Sequence, residues 1–148
     1  VLSQHLSLAG TIRNCAGGVT PWGSWLTCEE DMTRAGNGVG RDHGWVFEVP
    51  AAAPGLIDPR PIRAMGRFNH EAAAVDPRTG IVYLTEDRDD GLLYRFLPDR
   101  RGRLAAGGKL QALGLLDPAR TDSRNWTVAD MVEGEWLGVR WIDLDGTD

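Results

Sequence analysis

The sequence predicts an all-β fold built of antiparallel meanders, and three observations predict it. Its 148 residues include 19 glycines and 6 tryptophans; glycine supplies the backbone angles of tight turns, and indole rings suit a pleated, half-buried surface. Short runs rich in β-branched and aromatic residues recur between Pro, Gly and Asp turns. With 42% hydrophobic and 25% charged residues, the chain has the composition of one ordinary domain that can bury a core.

Taken in order, residues 6–12 form an apolar run expected to be a strand, and Cys15-Ala16-Gly17-Gly18 a turn that holds Cys15 at a loop tip. Within residues 14–31, Pro21 and Gly23 punctuate an aromatic strand. Its alternation sets Trp25, Thr27 and Glu29 on one face and Leu26, Cys28 and Glu30 on the other. Residues 32–44 carry four glycines and no periodicity, the pattern of a long loop, in which Asp42 and His43 read as solvated and without chemistry. Residues 45–49 read as a short strand, and the proline-rich residues 51–61 as a connector.

Residues 70–98 are the clearest architecture. HEAAAVD, IVYLTED and LLYRFLP are three strand-like runs separated by PRTG and RDDG turns. Such a meander has the form of one propeller blade, which cannot bury both faces alone and stacks on neighbours around a channel. At about 40 to 45 residues per blade, roughly three fit here, fewer than ring closure needs. Residues 1–148 are therefore expected to be a partial propeller domain, a fragment of a longer parent whose exposed flanks favour self-association. Beyond Asp99 come a charged, glycine-rich loop, a strand over residues 110–116, and tryptophan-bearing strand-like runs at 126–130 and 136–144.

A net charge of −5 excludes the basic footprint of a nucleic-acid binder. No apolar stretch reaches the roughly 20 residues of a membrane-spanning helix. The two cysteines, Cys15 and Cys28, could pair, share a metal or stay free. The strand geometry favours no bond between them, with Cys28 on a packed side and Cys15 on a glycine-rich loop.

The acidic residues point to cations. Glu29, Glu30 and Asp31 stand side by side at a strand exit; their mutual repulsion is costly unless they are fully solvated or surround a cation. Glu71 precedes the apolar residues 72–75, an odd entry into a core unless it faces something positive. Glu86 and Asp87 end a strand where acids usually face water, and Asp89 and Asp90 read as a turn. The residue twelve positions into that acidic stretch is Pro98, which excludes an EF-hand. Asp143, Asp145 and Asp148 around Gly146 read as an acidic turn.

The strings NCAGGVTPWGSWLTCEED, GRFNHEAAAVDPRTGIVYLTEDR and GLLYRFLPD resemble the PhoX-type alkaline phosphatase family, nearly continuously over residues 11–98 and more loosely over 125–142. The resemblance implies a β-propeller that holds iron and calcium at one end of its channel and hydrolyses phosphomonoesters, in a periplasmic or secreted enzyme. It implies Cys15, Glu30 and Glu71 as metal ligands: carboxylates for hard cations, and a thiolate that marks iron from an all-oxygen calcium site. The family also implies an arginine followed closely by a Glu-Gly pair. Here Glu133-Gly134 follows Met131 and Val132 instead, so the site is expected to be incomplete in this piece and activity to belong to the full-length parent. Two other classes fit the same carboxylates. A calcium-dependent propeller lactonase or esterase would not need Cys15, and a non-catalytic propeller module would leave the acids unliganded.

Overall fold

A computed structural model describes residues 3–146. Eight strands form two antiparallel sheets. The first has the order β1 (Gly18–Val19), β2 (Ser24–Cys28), β3 (Val46–Pro50). The second runs in chain order through β4 (His70–Val75), β5 (Val82–Glu86), β6 (Leu93–Pro98), β7 (Gly108–Leu115) and β8 (Val139–Asp143). Among the described residues, helix is confined to two single 3₁₀ turns, Arg63–Met65 and Leu104–Ala106. The all-β expectation holds, and residues 70–98 are the three-stranded meander expected.

Strands β2, β5 and β6 follow the two-residue side-chain period. In β2, Leu26 and Cys28 are fully buried while Trp25 is exposed; in β5, Val82 and Leu84 are buried, and in β6, Tyr94 and Phe96. These faces merge with Val46, Ile62, Met65, Phe68, Leu104 and Leu110 into one core between the sheets. At the entry to β2, Glu48 in β3 accepts hydrogen bonds from Trp22 Nε1 and Ser24 Oγ, each 2.6 Å, which pins the turn around Gly23 to its neighbour strand.

The sheets meet where residues 13–18 are clamped between them. Asn14 bridges Glu29 antiparallel and Gly17 bridges Ala72 in parallel. The amide of Gly17 donates to the Glu71 carbonyl at 3.0 Å and that of Ala73 to the Gly17 carbonyl at 3.1 Å. A Cβ on Gly17 would lie 2.0 Å from the Leu26 oxygen and one on Gly18 would lie 1.8 Å from the Ala73 oxygen. Only glycine permits that approach; residues 15–18 are an extended seam between the sheets, not the expected turn with Cys15 at its tip.

Two expected strands are absent. Residues 6–12 form no strand; their backbone groups bond elsewhere, Ile12 N donating to the Glu29 carboxylate and Ser7 O accepting from the Ile57 amide. Residues 126–130 form none either, and Trp126 is exposed. That segment belongs to a loop tied by its own polar groups: Arg120 grips Glu135 with two nitrogens at 2.7 and 2.8 Å, and the Asn125 side chain pairs with both backbone groups of Met131. With no partner strand, its apolar residues cannot build a ladder. Lastly, Cys15 and Cys28 are free, as expected, but not for the reason of separation. They lie opposite each other across an antiparallel pair, with Cys15 N donating to Cys28 O at 2.8 Å.

Candidate functional site

The strand exit that carries the acidic run separates its neighbours. Glu29 is fully buried, because residues 12 and 43–45 close over the face it shares with Trp25 and Thr27. Its Oε1 takes the Ile12 amide at 3.1 Å and lies 2.7 Å from His43 Nδ1; its Oε2 takes the amides of Gly44 at 2.8 Å and Trp45 at 3.1 Å. Four fixed donors around one carboxylate balance its desolvation without any ion. His43, expected to be solvated and idle, is 4% exposed and is the partner that makes this possible. Asp31 is also accounted for: the Thr33 hydroxyl and amide both donate to its Oδ1 and hold the carboxyl below its ordinary range.

Glu30 is different. It is half-buried, with Arg13 Nη2 3.3 Å from Oε2. Its carboxyl is pushed above the ordinary range, first by a hydrogen bond with the carboxyl of Asp87, then by desolvation and by the charge of Asp87, with Arg13 acting in the opposite sense. Two acids in contact hold either a proton or a cation between them. The Asp87 amide donates to Asn69 O at 3.0 Å and the His70 amide to Glu29 O at 3.0 Å. The end of β5, the start of β4 and the exit of β2 are thereby tied together, which makes the Glu30–Asp87 contact a product of tertiary pairing. Asp87 is the residue that the sequence reading passed over; its strand-end position alone carried no signal, and only the pairing of His70 with Glu86 brings it beside residue 30.

Glu71 stands at the other side of the clamped segment. Between the pairs His70↔Glu86 and Ala73↔Leu84 the β4–β5 register shifts, so Glu71 and Ala72 face Thr85 alone. Such a bulge re-aims a side chain locally. Thr85 Oγ1 donates to Glu71 Oε2 at 3.1 Å and accepts the Ala72 amide at 3.2 Å. Cys15 is half-buried on the clamped segment. Across from it, burial first and the nearby Cys15 second push the Cys28 thiol up to about 12, so Cys28 stays an uncharged core thiol and Cys15 is the more accessible of the two.

Backbone hydrogen bonds thus set the segments bearing Cys15, Glu30 and Glu71 beside one another, with Asp87, where β2 and β5 end and β4 begins. Among the described residues no group of three or more His, Cys, Asp or Glu side chains is gathered closely enough to hold an ion. The gathered pair is Glu30 with Asp87. The donor types suit a hard cation at the carboxylates and a softer one at the thiol. Glu133 and Gly134 lie exposed in the loop that Arg120 organises.

Beneath this end, His70 is fully buried. Its Nε2 donates to Gly66 O at 3.0 Å, its Nδ1 has no partner, and its ring lies 3.5 Å from that of Phe68, which stacks on Tyr94 at 4.3 Å. Burial lowers its pKa to about 4, so it is a neutral strut. No helix among the described residues is long and apolar enough to cross a membrane.

Comparison with known proteins adds the remaining context. No curated protein matches. Among solved structures the fold is similar to Pseudomonas fluorescens PhoX in complex with vanadate, a transition state analogue, with TM-score 0.54 and 27% sequence identity over 71% of this chain. The chain spans 27% of the length of that structure. The likeness makes the antiparallel sheets part of a β-propeller. A family comparison matches residues 2–148 to alkaline phosphatase PhoX, and the chain belongs to that family.

Proposed function

We propose that this chain contributes one part of the metal site of a phosphomonoester hydrolase, with Cys15, Glu30, Glu71 and Asp87 as ligands to iron and calcium. The observation that carries the reading is the Glu30–Asp87 contact beside the thiol-bearing segment, where like charges meet and Arg13 lies 3.3 Å from Glu30. A protein with a net charge of −5 needs cations between itself and an anionic ester. Bound there, calcium and iron would offset the charge on the phosphoryl oxygens and lower the pKa of bound water. The chain's own part is to hold carboxylates and thiolate at fixed positions on the clamped segment and the two strand ends.

Residues 1–148 are read as a partial propeller within a longer, periplasmic or secreted parent, and this piece as inactive by itself. The edge strand β8 exposes Val139 and Ile142, a surface suited to a neighbouring blade or, in isolation, to a second copy; sedimentation of the isolated chain distinguishes monomer from dimer. The decisive experiment is elemental analysis of the purified full-length protein together with hydrolysis of a chromogenic phosphomonoester. Iron with calcium and hydrolysis that chelation abolishes are expected. Calcium without iron favours the lactonase or esterase reading, and neither metal, with a chelator leaving the melting temperature unchanged, leaves a non-catalytic propeller module.

A further inference from the structure

The bulge in β4 gives Thr85 a role that strand propensity does not require. Because Glu71 and Ala72 face one residue, the Ala72 amide has lost its ladder acceptor. The Thr85 hydroxyl replaces that acceptor at 3.2 Å and spends its proton on Glu71 Oε2 at 3.1 Å. A hydroxyl has one proton to donate, so the direction of this chain is fixed: amide to hydroxyl to carboxylate. The same bulge receives the segment that bears Cys15, through Gly17 N to Glu71 O and Ala73 N to Gly17 O. One side chain therefore sets the geometry of the bulge and the rotamer of the carboxylate on it, where a valine of the same shape would do neither.

We propose that Thr85 is a positioning residue that orients the Glu71 carboxylate for cation binding, an inference that rests on the reading of Glu71 as a ligand. Orienting partners of metal ligands change affinity by about 10- to 100-fold when removed. Thr85 acts through Glu71 and touches no substrate.

The test is calorimetric titration of calcium into the full-length protein, alongside melting curves without metal. Thr85→Val is expected to weaken calcium binding by about 10-fold or more, and Thr85→Ser, which keeps the hydroxyl, to stay within about threefold of the original. In a Glu71→Gln background Thr85→Val should cause no further loss of affinity, a result that a merely structural threonine would not give. If the valine variant does not fold, Thr85→Ala takes its place. Unchanged affinity in the valine variant, or equal losses in the serine and valine variants, overturns the proposal. Glu71→Gln binding calcium like the original overturns the ligand reading itself, and with it this one; weakened binding by Glu71→Gln with none by Thr85→Val isolates the failure to Thr85.

Discussion

Glu29 and Glu30 are neighbours in the chain and opposite in circumstance. Glu29 is buried under four donors, three of them backbone amides that no titration can remove. Glu30 is half-buried, faces another acid and has one guanidinium, 67% exposed, for relief. The first arrangement spends a carboxylate on joining loop to strand; the second leaves one available to a cation. A run of acids in sequence is thus no unit of function, and the division between its members is made by what folds over each.

The contrast breaks most visibly at its buried half. Glu29→Ala leaves the Gly44 and Trp45 amides and His43 without their acceptor, and a loss of about 3–5 kcal/mol is expected in urea unfolding. Glu30→Ala should leave the urea midpoint nearly unchanged in the same measurement. Equal losses would erase the distinction.

A pH scan sharpens it next. His70 belongs to the rigid frame and takes a proton only near pH 4 when folded, against an ordinary 6.5. Between those values the unfolded chain binds more protons, so stability is retained above pH 6.5 and falls as the pH drops toward 4. The loss is on the order of 3 kcal/mol, read as a falling melting temperature that His70→Gln flattens. Glu30 has the opposite sign: its raised pKa means that repulsion from Asp87 grows as the pH rises through its titration.

Gly18→Ala separates the two halves without touching an acid. The added methyl meets the Ala73 carbonyl oxygen at 1.8 Å, and the clamped segment must shift, costing about 1–3 kcal/mol. Amide exchange of residues 15–18 should rise while that of β5 and β6 is unchanged. The smallest effect is the most local: Asp87→Asn should return the Glu30 carboxyl toward its ordinary range, followed by carbon NMR titration of the metal-free chain, with no measurable change in stability. A Glu30 titration that does not move would remove Asp87 from the site.

Much of the frame was legible in the residues. Turn-forming glycines and β-branched runs determined an all-β chain and the meander over 70–98, because alternation and turn chemistry are local properties that survive any arrangement of the rest. The strings around Cys15, Glu30 and Glu71 carried the family. Tertiary structure decided the remainder. Whether Glu29 met water or amides depended on residues 43–45, and whether Asp87 met water or Glu30 depended on the pairing of β4 with β5. Residues 126–130 have strand-like composition, yet no neighbour offers them a ladder. Burial and charge pairing are properties of contacts between distant segments, and a one-dimensional pattern states which groups are available without stating which of them meet.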